Sequence, residues 1–221
     1  MKTLRTMAAA IALAACGPVL ASPPRVVSDF SSGAEGWTTV DLFGLTAPDV
    51  VTPDSAGFIA TLDAHEWNAF SAPAKFLGDK SGFAGGTLSL RLSDDMSDSL
   101  PGWPVAFITN GTTTLASWPY AVPGPAFTSF SFALDAASWV TVPPSLLPLP
   151  SQLFHPSGAE FATVLGGLVG LYINADFKTN GNDYVRLDDV VLTAVPEPQI
   201  SAMLLAGIVM LGALGRRRRG V

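Results

Sequence analysis

The 221-residue chain offers few side chains at the spacings catalysis needs. Its densest carboxylates are Asp94, Asp95 and Asp98 in SDDMSDS. Two carboxylates about 5 to 10 Å apart suffice for glycoside hydrolysis. A serine-rich acidic run is also what a solvated loop looks like, and the run is read as one. Of the two histidines, His65 sits beside Glu66 and His155 lies in a proline-rich connection. Neither has the His-x-x-x-His or Glu-x-x-His spacing of a zinc site. No Gly-x-Ser-x-Gly elbow presents a serine nucleophile. No enzymatic activity is expected, and a polysaccharide hydrolase using Asp94 or Asp95 is only the third of three readings.

Binding has a better footing. Trp37, Trp67, Trp103, Trp118 and Trp139 are first of all packing groups, but an indole also stacks on a sugar ring. Trp103 and Trp118 each precede a proline in a turn-rich stretch, so these two are the ligand-binding candidates.

The elements that would position them read as strands. GTLSLRLS alternates Leu88, Leu90 and Leu92 against polar neighbours, the two-residue period of a half-buried antiparallel strand. FTSFSFALD repeats this with Phe130, Phe132 and Leu134. YVRLDDVVLTA does so with Val185, Leu187 and Val190 until its phase slips. PVAFITNG and LVGLYINADF are more continuously apolar, as strands covered on both faces would be. The best helix candidate is Ala159 to Leu165. Short strands and turn-rich links predict an all-β, two-sheet sandwich of jelly-roll type.

The two ends differ from this middle. MKTLRTMAAAIALAACGPVLAS has a basic start at Lys2 and Arg5, a short apolar stretch and small residues at Val19-Leu20-Ala21, so residues 1–21 read as an export signal. Leu13-Ala14-Ala15-Cys16 also reads as a lipoprotein signal. Otherwise Cys16 leaves with the signal, and the mature chain has neither a disulfide nor a thiol. At the other end, Ile200 to Gly215 is free of charge and would span about 24 Å as a helix. That is slightly short of the roughly 30 Å hydrocarbon core, a misfit that snorkelling arginines absorb. Arg216, Arg217, Arg218 and Arg219 would hold its C-terminal end in the cytoplasm and leave everything upstream outside. Between the ends, residues 22–194 are the size of one domain. They carry six basic residues against seventeen acidic ones, a formal charge of −11. Such a surface repels nucleic acid and anionic lipid, and suits divalent cations or neutral sugars.

Residues 195–221 resemble the PEP-CTERM sorting signal of Gram-negative bacteria: Pro196-Glu197-Pro198, then the apolar helix, then the arginine cluster. The resemblance implies an exosortase-type transpeptidase as a partner, a transient inner-membrane anchor and release to the cell surface or matrix. It also implies an exopolysaccharide-producing, biofilm-forming cell.

DFSSGAEGW, WNAFSAPAKFLGDKSGFAGGTLSLRL and the closing VGLYINADF and DYVRLDDVVL are similar to the laminin B domain, also called laminin IV type A, in its bacterial form. The family implies an extracellular structural or interaction module with a galactose-binding-like sandwich. Sandwiches of that kind often clamp a structural calcium, which Asp29, Asp79 and Asp188 would hold by their comparable places. No other cofactor is expected. Alternation requires one of Asp188 and Asp189 to face outward and the other to find a partner near the core.

The leading functional reading is a surface or matrix protein that engages exopolysaccharide or neighbouring proteins. The alternative is a dedicated carbohydrate-binding module using Trp103 or Trp118.

Overall fold

Among the described residues the chain forms thirteen strands and one α-helix, and the alternating segments are strands of this set. The computed structural model describes residues 22–42, 49–62, 67–95, 103–119, 121–143, 153–178 and 184–195. Pro23–Val195 form one compact unit. The second, Met1–Ser22 with Pro196–Val221, contributes only Ser22 to the described residues. The export signal, the apolar helix and the sorting motif therefore lie outside them, as do His65, Glu66 and Asp98.

The strands are β1 (Arg25–Ser28), β2 (Thr38–Asp41), β3 (Asp49–Val50), β4 (Thr52–Asp54), β5 (Phe58–Leu62), β6 (Asn68–Ser71), β7 (Thr87–Asp94), β8 (Ala106–Thr109), β9 (Thr114–Ser117), β10 (Thr128–Ala133), β11 (Val140–Val142), β12 (Gly170–Asn174) and β13 (Tyr184–Thr193). Helix α1 (Gly158–Gly166) precedes β12. Its start is set by a capping box, in which Ser157 accepts the Glu160 N–H and the Glu160 carboxylate accepts the Ser157 N–H.

One sheet runs β10-β7-β13-β5-β4, with β1 also on β13, and the other runs β11-β9-β8-β12-β6-β2-β3. The chain repeatedly crosses between them, so each sheet buries its inner face on the other. Leu88, Leu90, Leu92, Phe130, Phe132 and Leu187 fill the core from the first sheet, and Phe70, Ile108, Leu115 and Ile173 from the second. The all-β sandwich expected from the strand pattern is what forms.

The phase slip in β13 is a β-bulge. Asp188 pairs with Arg91 and Val191 with Ser89, so three steps on β13 match two on β7. Asp189 takes up the extra residue at φ +49°. β5 and β1 lie end to end along β13 on either side of this bulge.

The blocks that resemble the laminin family converge on one cluster. The Trp37 indole stands edge-on to Phe30 and Phe76, at 6.1 and 5.5 Å, and donates to Ser28 Oγ at 2.8 Å. Glu35 accepts the Phe30 N–H at 2.7 Å and pairs with Lys75, whose Nζ also donates to the Val27 carbonyl. At Gly86 a Cβ would sit 2.0 Å from the Thr193 carbonyl oxygen, so only glycine lets β7 begin against the end of β13. The motif residues build the fold.

One expectation is corrected. Asp94 is not in a solvated loop: it is the last residue of β7, fully buried, opposite Val185, with its N–H on the Gly124 carbonyl at 2.8 Å.

Candidate binding site

A cleft opens where the chain turns from β10 in one sheet to β11 in the other. A 3₁₀ turn, Ala136–Ser138, makes the connection, and Asp135 caps it by accepting the Ser138 N–H at 2.9 Å. The next residue, Trp139, is fully buried and donates its indole N–H to the Ala133 carbonyl at 2.8 Å. Ser117 of β9 donates its hydroxyl to the Ser138 carbonyl at 2.9 Å. The Thr141 N–H of β11 donates to the Phe154 carbonyl, bringing the following His155 alongside. These contacts fasten the turn to both sheets.

The space is about 670 Å³, lined among others by Trp118, Leu153, His155, Ser131, Ala137 and Ala116. Among the described residues no charged side chain lines it. A volume of this size is within the roughly 300–1,000 Å³ of small-molecule sites. His155 Nδ1 is 2.7 Å from the Trp139 carbonyl oxygen. A carbonyl only accepts, so Nδ1 carries hydrogen, and in the tautomer this contact selects the acceptor nitrogen is Nε2.

Trp118 is half-buried and packs on a second apolar cluster that includes Phe107, Ala116 and Val140. Trp103, the other tryptophan expected to meet a ligand, packs on the same cluster but does not line the cleft. It stands edge-on to the buried Trp67 at 4.6 Å, and Trp67 donates to Asn174 Oδ1 at 2.9 Å. Nearby, the Tyr172 ring covers Gly170, where a Cβ would come within 2.7 Å of it. Burial pushes the Tyr172 phenol above its usual pKa.

The three aspartates expected to hold calcium each have a different partner. Asp29 Oδ1 accepts the Ser31 hydroxyl at 2.7 Å and the Ser31 N–H at 3.0 Å, which hold its carboxyl below the usual range. Asp79 Oδ1 accepts the Ser81 N–H at 2.9 Å, with the same effect. Asp188 pairs with Arg91 and accepts the Asp189 N–H at 2.7 Å. Asp189 Oδ2 lies 2.9 Å from Arg91 Nε, so the bulge turns both acids to one guanidinium. Burial, and then the Asp189 charge, raise the Asp188 pKa against the smaller lowering by the Asp189 N–H and Arg91. Among the described residues no three His, Cys, Asp or Glu side chains are gathered as a metal would need.

Ser131, Leu153 and His155 went unnoticed as wall residues. Their meeting depends on the 3₁₀ turn and on a hydrogen bond between residues sixteen apart, His155 and Trp139. The proline-rich flank of His155 indicated a connection without indicating what it crosses.

Fold and cleft together define a class: a β-sandwich module with a neutral cleft at one margin, suited to binding or structure. A profile described as Laminin B (Domain IV) matches residues 69–204, and the chain belongs to that family. A second profile, the PEP-CTERM protein-sorting motif, matches residues 194–219. The first begins in β6, so β1 to β5 lie ahead of it, although β1 and β5 pair with β13.

The chain is similar to the L4b domain of human laminin alpha-2, with 14% identity, 80% of this chain and 99% of that one covered, and a TM-score of 0.66. That likeness carries the fold through the earlier strands. It is also similar to the family 11 carbohydrate-binding module of the cellulosomal cellulase Lic26A-Cel5E of Clostridium thermocellum, with 11% identity, coverage of 81% and 99%, and a TM-score of 0.49. No curated protein matches the chain. The sorting motif implies export, processing by an exosortase and a cell-surface or extracellular destination. Neither profile is that of an enzyme family.

Proposed function

We propose that this chain is an exported surface or matrix protein, held in the inner membrane by residues 200–215, processed after Pro196-Glu197-Pro198, and engaged non-covalently with exopolysaccharide or neighbouring matrix proteins. The observation that carries this reading is the order of the two profiles on one chain: a laminin B sandwich leading directly into a sorting motif. The physical features agree with it. The sandwich is acidic, which disfavours nucleic acid and anionic lipid. Its fold needs no disulfide, and its acids at Asp29, Asp79, Asp188 and Asp189 are occupied in local structure.

The test is fractionation of exopolysaccharide-producing cells that express the wild-type chain. The expected result is a processed form that stays with the extracellular polysaccharide and is released from it by salt or competing soluble polymer without bond cleavage. A protein found wholly in the inner membrane, or free in the medium with no retention, would oppose the reading.

A further inference from the structure

The geometry points to the cleft between β9, β10 and β11 as a binding site for a neutral saccharide, with one sugar ring against the Trp118 indole and a ring hydroxyl donating to His155 Nε2. This rests on the polysaccharide partner proposed above and names where that partner is held.

The walls favour this ligand class on three grounds. First, no carboxylate, ammonium or guanidinium of the described residues lines the cleft. Asp135, next to the 3₁₀ turn, directs its carboxylate to the Ser138 N–H. A charged ligand would be desolvated there without a counter-charge, and the acidic chain adds repulsion against anions. Second, the walls combine apolar and hydroxylic groups. Trp118 and Leu153 offer apolar surface, Ser131 an exposed hydroxyl, and His155 a ring whose Nδ1 is already engaged by the Trp139 carbonyl. A sugar ring has that same pairing of an apolar C–H face with a rim of hydroxyls. Third, two of the lining residues, Ala116 and Ala137, present no more than a methyl group to the space. The turn beside the recess is also fastened, because Ser117 and His155 hydrogen-bond to the consecutive carbonyls of Ser138 and Trp139. Little ordering remains to be done on binding.

The test uses the secreted chain and a panel of neutral hexaoses of glucose, galactose and mannose, with an oligogalacturonide as the anionic probe, read by tryptophan fluorescence and calorimetry. At least one neutral hexaose should bind saturably and the oligogalacturonide should not. Trp118→Ala should weaken binding about tenfold or more. Ala137→Phe, which fills the recess and keeps the indole, should do the same, so loss of fold in one variant does not decide the matter. Val50→Ser, at the opposite edge of the sheet, should change nothing. Equal binding of the anionic probe, failure of all three neutral hexaoses, or binding unaltered in folded Ala137→Phe would overturn the proposal. If wild-type protein is still retained by the matrix in that event, the functional reading stands and only the cleft is lost. If retention is absent as well, both fall.

Discussion

Arg91 of β7 and Asp188 of β13 face each other across the ladder and form an ion pair, and the bulge beside them brings Asp189 to the same guanidinium. The Arg91 guanidinium also lies over the Phe127 ring, 5.2 Å from its centre. Strand alternation alone would have sent the two acids to opposite faces. The extra residue at Asp189 puts both where one cation serves them.

Removing the cation should therefore cost more than removing the buried acid. Arg91→Ala leaves two neighbouring carboxylates, one of them buried, and should lower stability by about 1–3 kcal/mol, the cost of unpairing a buried polar or charged group. Asp188→Asn keeps the shape and removes one of two like charges, and should cost less than about 1 kcal/mol. Urea titrations of the two variants check this. Arg91→Ala as stable as Asp188→Asn would contradict it.

The same acids give a pH signature. Asp29, Asp79 and Glu160 have pKa values lowered mainly by hydrogen bonds from Ser31, Ser81 and Ser157. Their contribution is full above the ordinary values of 3.8 and 4.5 and fades as pH falls through the lowered ones. Asp188 has the opposite sign: its pKa is raised, so its contribution falls as pH rises from 3.8 through the raised value. The gain in melting temperature from pH 3 to pH 6 should be larger in Asp188→Asn than in wild type. An equal or smaller gain would remove Asp188 from the account.

Gly86 tests the junction of β7 with the end of β13. A methyl group there would meet the Thr193 carbonyl at 2.0 Å, a contact with backbone that no rotamer relieves. Gly86→Ala should cost about 2–4 kcal/mol through displacement of the strand. A thermal melt within a degree of wild type would show that the two strands are not held as described.

Calcium separates the resemblance from the geometry. The family fold suggested a clamp of Asp29, Asp79 and Asp188, but each carboxylate already has its own hydrogen-bond or ion-pair partner. Millimolar calcium and excess chelator should give the same melting temperature. A rise with calcium that is reversed by chelator would establish a site by mass action.

Much of this fold is legible in the alternation of single strands. Leu88, Leu90 and Leu92, and Phe130 and Phe132, are buried where the two-residue period puts them. The continuous apolar run at Ala106, Phe107 and Ile108 is a central strand with apolar clusters on both faces. Asp94 was misread because polarity marks a loop only when no ladder continues, and the β7 ladder runs on to Val185. The slip in β13 was visible as a broken period, but its cause was not, because a bulge is defined by the partner strand. Trp103 and Trp118 share the same local signature, a tryptophan before a proline. Long-range packing alone sets Trp103 against Trp67 and Trp118 beside His155.

The account's central claim is that this sandwich reaches the cell surface through its sorting motif, and the mass of the mature chain tests it most directly. Surface protein should be isolated from an exosortase-bearing cell and its C-terminus read by intact mass and peptide mapping. The account predicts a chain that ends near Pro198 and lacks Arg216 to Val221, with that shortening lost when Pro196-Glu197-Pro198 is replaced. A surface protein that retains Arg216 to Val221 would contradict it.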